Sequence, residues 1–168
     1  MTAMTTVVHA DEAAAVPWRN GGGRTRELLA GPDAAAWKWR ISLADIDADG
    51  PFSAFPGVSR WFAVLRGAGV WLALPCGVRR VVRGEPPLNF DGAAAPGCGL
   101  IDGPTRDLNL MLRGGARGTM QLGAAGSVWA EDWPQRARFD IGTLTLHAQL
   151  PPGPLKADSE SLWIGIAP

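Results

Sequence analysis

WKWRISLA, residues 37–44, alternates apolar and polar side chains along its length. Side chains of an extended strand point to opposite faces with a period of two. The spacing therefore predicts a strand with Trp37, Trp39, Ile41 and Leu43 on one face and Lys38, Arg40, Ser42 and Ala44 on the other. The first set belongs against an apolar core. The second brings a guanidinium and a hydroxyl to a face that meets either solvent or a wet cavity. An arginine in the interior needs a partner, because an unpaired buried charge is costly. Glu27, on a neighbouring candidate strand, could close a bidentate clamp with Arg40. A ligand carboxylate could do the same, and the residues alone leave both open.

The rest of the chain is patterned similarly. Gly occurs 22 times and Pro 14 times in 168 residues, which leaves few windows long enough for an amphipathic helix. Short strand-like runs lie between these breaks, at 25–29, 60–65, 69–74, 108–112, 118–122, 127–130, 141–149 and 161–166. Many short strands between turns predict an all-β sandwich or barrel. Leu65-Arg66-Gly67 recurs as Leu112-Arg113-Gly114, each closing an apolar run, which predicts a strand–turn–strand hairpin used twice. Residues 84–97 are expected to form an exposed loop, and 151–155 a turn before the last strand. No stretch is rich enough in Ser, Gly or charge to divide the chain.

The chain is 46% hydrophobic and 19% charged, as a folded domain is and a disordered segment is not. Lys plus Arg and Asp plus Glu are 16 each, which argues against nucleic-acid or membrane-surface binding driven by bulk charge. The start, MTAMTTVVHADEAAAV, has no basic segment followed by a long apolar one, so no leader is expected and a cytoplasmic location is. Residues 61–78 are too interrupted by Arg66, Gly67, Gly69, Pro75 and Gly77 for a membrane helix. Cys76 and Cys98 form no CxxC pair and are expected to be reduced, part-buried thiols. His9 and His147 are far apart in sequence and no HxH spacing occurs, so neither a metal nor another cofactor is expected.

Three further stretches carry chemistry. WRNGGGRTRELL, residues 18–29, packs Trp18, Asn20, Gly21, Gly22 and Gly23 beside Arg19, Arg24 and Arg26. Successive glycines can turn backbone N–H groups toward an anion; a glycine-rich bulge leading into a sheet is the alternative. Thr25 and Glu27 share one strand face and Arg26 takes the other, so all three meet one ligand only if the backbone bulges. GPFSAFPG, residues 50–57, is a stiff loop whose Phe52 and Phe55 cover something apolar, with Ser53 between them. DGPTRDLNLM, residues 102–111, alternates Asp107, Asn109 and Met111 with Leu108 and Leu110. That pattern suits a cavity wall or a satisfied buried polar pair.

Taken in order, these motifs resemble the HutD/Ves family: WRNGGGRTRE at 18–27, WRISLA at 39–44, GPFSAFPG with Arg60, and DGPTRDLNLM with Arg113. The resemblance implies a cupin-like, bicupin architecture, one compact unit over 1–168 with approximate halves 1–110 and 111–168. It also implies a small-molecule pocket linked to histidine utilisation or stress responses, with an acidic intermediate of histidine breakdown as ligand. The pattern departs from the family at Arg66, where an acidic residue is common, and is less family-like after residue 120.

The expected ligand set is Trp18, Asn20, Gly21, Gly22, Gly23, Thr25, Arg26, Glu27, Arg40, Ser42, Phe52, Ser53, Arg60, Asp107 and Asn109. The expected partner is a small anionic metabolite bearing a carboxylate, with no nucleic acid and no membrane, and a homodimer is an allowed assembly. Three functions compete. One is a non-enzymatic protein that senses or buffers an acidic metabolite. Another is a metal-independent isomerase or hydrolase using Glu27 or Asp107 as general base beside Arg26 or Arg40. The third is a structural or interaction module. An open pocket with Arg and Asn favours the first, a carboxylate raised by burial beside a cleft the second, and a salt-bridged, empty interior the third. Arg40 is expected to matter more to fold or pocket than Arg136, which follows Trp133 and Pro134 in a loop-like context.

Overall fold

The computed structural model describes residues 4–168; Met1–Ala3, the first residues of the stretch read as carrying no leader, lie outside them. The described residues form β1 (Thr6–His9), β2 (Ala15–Pro17), β3 (Gly23–Gly31), β4 (Trp39–Ile46), β5 (Gly50–Pro51), β6 (Ser59–Arg66), β7 (Val70–Leu74), β8 (Gly77–Val81) and β9 (Leu88–Asp91). After these come β10 (Gly97–Leu100), β11 (Thr105–Leu112), β12 (Arg117–Gly123), β13 (Val128–Trp129), β14 (Gln135–Asp140), β15 (Thr145–Ala148), β16 (Leu155–Lys156) and β17 (Ser161–Ala167). Two 3-10 turns, Ala10–Glu12 and Gly92–Ala94, are the helical elements among the described residues. The described residues are all-β, as expected.

A central antiparallel sheet runs β2-β3-β4-β11-β6-β9. A five-stranded sheet, β1-β15-β14-β17-β12, packs on one face of it, and a four-stranded sheet, β5-β10-β7-β8, on the other. The sheets pack as layers and do not close by hydrogen bonding into barrels. Alternation along β4 explains the layering. Trp39, Ile41 and Leu43 enter a dry core with Leu108 and Leu110 of β11 and with Phe139, Leu146 and Ile164 of the five-stranded sheet. Ile41 and Leu43 are essentially inaccessible, and burying each such side chain contributes about 1.5–3 kcal/mol. Ile46, at the far end of the opposite face, joins Phe62, Val64, Val70 and Leu72 in a second core under the four-stranded sheet. Between that core and the open end of the layer, Arg40, Ser42 and Ala44 face a cavity.

Several expectations are corrected. Trp37 precedes β4 and does not share the face of Trp39; it packs with Val58 and Met111 on the cavity side, because strand parity begins only at Trp39. The two Leu-Arg-Gly turns are not hairpins. Each carries the chain out of the central sheet, from β6 to β7 and from β11 to β12, and the flanking strands pair with other partners. Residues 84–97 contain β9, a 3-10 turn and the start of β10, with Phe90 and Gly92 buried. Within 141–149 only Thr145–Ala148 is strand; residues 141–144 form the turn that follows β14, with Leu144 at φ 52°.

Arg136 is not in a loop. It lies in β14, 3% exposed, its Nη1 donates to the Pro151 carbonyl at 2.5 Å and the Gly153 carbonyl at 2.8 Å, and its guanidinium lies 4.7 Å from the Trp129 ring centroid. Cys98 is buried but Cys76 is exposed, and both are free thiols. His9 and His147 sit on the paired strands β1 and β15, although they are distant in sequence. Among the described residues no group of His, Cys, Asp and Glu is placed to hold a metal ion, and no helix is long and apolar enough to cross a membrane.

Candidate functional site

A cavity of about 470 Å³ opens on the face of the central sheet that β4 turns away from the dry core. Its wall is set by register. Met111 pairs with Arg40 on one side and Arg60 on the other, so β4, β11 and β6 present Arg40, Met111 and Arg60 in one row. The next rows bring Ser42 beside Asn109, then Ala44 beside Asp107. Thr25 of β3, opposite Ala44, adds a hydroxyl. The rim comes from Pro17 to Asn20 and from Pro51, Phe52, Ser53 and Phe55. The second segment is pinned by bonds from the Phe52 N–H to the Pro96 carbonyl and from the Phe55 N–H to the Gly92 carbonyl, at 2.9 and 2.8 Å.

Arg60 is 6% exposed and donates through Nη2 to Asn109 Oδ1 at 2.7 Å. That bond fixes the Asn109 amide, whose Nδ2 donates to Asp107 Oδ1 at 2.5 Å. The Arg60 guanidinium lies among three aromatic rings, 5.1 Å from Phe52, 5.6 Å from Phe55 and 5.2 Å from Phe90. Arg40 lies 5.0 Å from the Trp37 ring and 5.9 Å from Phe55, and its Nη2 reaches the Met111 sulfur at 3.4 Å. No carboxylate of the described residues comes within salt-bridge distance of either guanidinium. Nε of both arginines and Oδ2 of Asp107 are buried without a hydrogen-bond partner.

Electrostatics follow from this burial. Desolvation lowers Arg60 to about 10 although Asp107 draws it up and Arg40 adds a repulsive push. Arg40 is lowered too, first by desolvation, with Glu27 opposing and Arg113 reinforcing the shift. Desolvation pushes the Asp107 carboxyl up to about 8, against the pull of Arg60 and of the Asn109 hydrogen bond. The cavity therefore presents two desolvated cations beside an acid that favours its neutral form.

The glycine-rich stretch has a different job. Gly21 turns the chain at φ 73°, its N–H bonded to the Trp18 carbonyl at 3.0 Å, and the Gly22 N–H is taken by Asn20 Oδ1 at 2.9 Å. Gly23 leaves room for Trp18, whose ring atoms lie 3.0 Å from where a Cβ would stand. The glycines hold Trp18 over the cavity, where its Nε1 donates to Thr25 Oγ1 at 2.8 Å and its ring meets Phe52 edge-on at 6.4 Å. Their own N–H groups at 21 and 22 are spent inside the turn, so they are not an anion nest.

Arg26 points away from the cavity. It donates to Asp45 Oδ2 at 2.9 Å, together with Arg24 at 3.1 Å, while Arg106 donates to Oδ1 at 2.6 Å. Burial alone raises the Asp45 carboxyl, but the bonds from Arg106, Arg26 and Arg24 prevail and hold it at about 2. Glu27 is exposed beyond the cavity rim and forms no ion pair with Arg40, which overturns the expected clamp. The strand bulges between Glu27 and Leu29, beyond the glycines.

Of the expected set, Trp18, Asn20, Thr25, Arg40, Ser42, Phe52, Ser53, Arg60, Asp107 and Asn109 meet at the cavity, whereas Gly21, Gly22, Gly23, Arg26 and Glu27 do not line it. Sequence reasoning did not assign Ala44, Ile46 or Met111 to the ligand set, although strand parity with Arg40 and Asn109 signals all three. Phe90, packed on Arg60, had no signal, because it lies in a segment read as loop.

A family model described as HutD matches residues 10–133. An uncharacterised 21.2 kDa protein in the hutC 3′ region of Pseudomonas putida is 35% identical over 107 residues, 62% of this chain and 56% of the relative. Protein Ves of Citrobacter koseri is 38% identical over 98 residues, 57% of this chain and 51% of the relative. The chain thus spans about half the length of the curated relatives it matches. The structure of HutD from Pseudomonas fluorescens SBW25, in a formate condition, superposes with a TM-score of 0.83 over 98% of both chains at 23% identity. A conserved protein of unknown function from Pseudomonas aeruginosa PAO1 superposes at 0.80, again over 98% of both, at 26% identity.

Proposed function

The chain belongs to the HutD family, and from that membership and the chemistry of its cavity we propose that it binds a small acidic metabolite as a non-enzymatic sensor or buffer linked to histidine utilisation. One observation carries the reading. Arg40 and Arg60 face a shared cavity, desolvated and with no carboxylate of the described residues within salt-bridge distance. Two such cations repel each other, and an anion between them relieves both the repulsion and the lost hydration. Arginine suits a carboxylate because its planar fork offers parallel donors. Trp18, Phe52 and Phe55 fit an apolar body, and Ser42, Thr25 and Asn109 its remaining polar groups. The Pseudomonas putida relative's place in the hutC 3′ region supports a histidine-pathway acid.

A second reading rests on Asp107, whose carboxyl burial raises beside an open cleft. That is the signature of a general acid or base, so an isomerase or hydrolase acting on a small carboxylate is the alternative. Asp107 is the one carboxylate lining the cavity among the described residues, which supports binding over two-group catalysis.

Calorimetric titration with N-formylglutamate, glutamate and urocanate, each beside its amide or ester, tests the first reading. The acids are expected to bind about a hundredfold tighter than their neutral counterparts, as one or two charge-assisted bonds of about 1.5–3 kcal/mol dictate. Equal binding of acid and neutral forms refutes it. Proton NMR of the same mixtures reports any new product and so tests the second.

A further inference from the structure

We propose that Asp107 holds a proton on Oδ2 and gives it in a hydrogen bond to the bound anion, so that the pocket takes up its carboxylate and a proton together. The inference rests on the carboxylate-binding reading and adds the coupling. Its basis is the hydrogen-bond inventory of the cavity floor. Arg60 donates to Asn109 Oδ1, which leaves Asn109 only its Nδ2 to offer, and Nδ2 donates to Asp107 Oδ1. Asp107 Oδ1 is therefore taken as an acceptor. Oδ2 is the atom left over, buried and reached by no donor among the described residues, on a residue that lines the cavity.

An ionised Oδ2 there would be a desolvated negative oxygen without a donor. It would also share a site with the incoming carboxylate, and two carboxylates in one site do not both ionise. A protonated Oδ2 needs an acceptor, and the protein supplies none. A carboxylate seated on Arg40 and Arg60 supplies it. When Asp107 starts ionised, the proton comes from solvent, and the product is Asp107 carboxylic acid hydrogen-bonded to the ligand's carboxylate.

The surrounding groups keep their charge in the same window. Arg60 of β6 faces Asp107 and titrates at about 10, Arg40 and Asp45 stand on β4, and Asp45 is held at about 2. Cys98 of β10, in the second core, is pushed up to about 12, first by burial and then by the charges of Asp107 and Asp49. Asp107 itself stands at about 8.

The test is calorimetry of N-formylglutamate, whose own carboxylates do not titrate near neutrality, at about pH 7 and about pH 9 in two buffers of different ionisation enthalpy. Wild type is expected to bind about tenfold more weakly at the higher pH, with close to one proton taken up per anion there. Asp107→Asn, whose amide can still donate, is expected to bind with similar affinity at both pH values and to take up no proton. The carbon-13 shift of the Asp107 carboxyl in wild type gives an independent reading. It is expected to keep its protonated value at the higher pH when the anion is present and to lose it when absent. Binding by wild type at the higher pH without proton uptake overturns the proposal alone, as does an Asp107→Asn variant that keeps the pH dependence or that folds and no longer binds. If none of the acid panel binds wild type at either pH, the carboxylate reading itself fails and the coupling falls with it.

Discussion

Replacing Arg40 with methionine separates binding from folding in the cavity. The guanidinium makes one contact to the Met111 sulfur at 3.4 Å, lies 5.0 Å from Trp37 and 5.9 Å from Phe55, and leaves Nε without a partner. No ion pair is broken by its removal, and a desolvated charge facing Arg60 and Arg113 disappears. The stacking on two rings contributes about 0.5–1 kcal/mol each at a partly exposed site. Methionine keeps most of the apolar stem, so the net change in stability is expected to stay within about 1 kcal/mol of zero. Binding loses one charge-assisted contact of about 1.5–3 kcal/mol, a factor of about 10 to 150 in Kd. A thermal melt and a calorimetric titration with N-formylglutamate on the same preparation measure both. A loss of about 3 kcal/mol or more in stability would show that Arg40 is a structural residue, as a hidden ion pair requires. Unchanged affinity in a stable variant would show that it takes no part in binding.

The remaining expectations concern the fold around the cavity. Arg136→Ala is expected to destabilise by about 2–4 kcal/mol in denaturant unfolding, more than Arg40→Met, because the Pro151 and Gly153 carbonyls lose the buried guanidinium that docks their segment on β14 and Trp129 loses its cover. Asp45 is depressed to about 2, so its contribution is present above the ordinary carboxylate range, near about pH 4, and fades as pH falls through about 2; Asp45→Asn should be less stable than wild type at neutral pH and converge with it in acid. Asp107 is raised to about 8, so its neutral form favours the folded state fully below about pH 4 and that advantage is lost as pH rises through about 8; Asp107→Asn should gain on wild type in melts across that interval. Gly23→Ala, where a Cβ meets the Asp45 carbonyl and the Trp18 ring, should destabilise by about 1–3 kcal/mol, whereas Gly22→Ala, where the Cβ meets the Asn20 side chain at 3.2 Å and the Ala48 carbonyl at an ordinary 3.8 Å, should change melting far less.

The alternation in residues 37–44 placed Trp39, Ile41 and Leu43 in the core and Arg40, Ser42 and Ala44 on the cavity face correctly because a strand's parity is a local property. The same rule separated Thr25 from Arg26 before any contact was known. What the sequence did not reveal depends on partners distant along the chain. Glu27 was the nearest carboxylate on paper, yet Asp45 collects Arg24, Arg26 and Arg106, because the neighbouring strands β3, β4 and β11 put all four side by side at one end of the central sheet. Arg136 read as a loop residue because Pro134 precedes it, and only the docking of residues 151–153 over β14 makes it buried. Arg60 was placed at the site by motif resemblance. Its ring of phenylalanines required Phe90, which pairs with it across β6 and β9. Turn chemistry misled most. Gly-Pro-rich 84–97 hides short strands, and the glycine triplet satisfies its own turn.

A crystal structure with N-formylglutamate bound is the most direct measurement of where the anion sits. One carboxylate of the ligand is expected within about 2.7–3.0 Å of Arg40 or Arg60 guanidinium nitrogens, the distance of a charge-assisted bond. Its second oxygen is expected to face Asp107 Oδ2, and Trp18 and Phe52 should cover the aliphatic chain. A ligand seated instead on Arg24, Arg26 and Arg106 around Asp45, with the cavity holding only solvent, would contradict the assignment of the site.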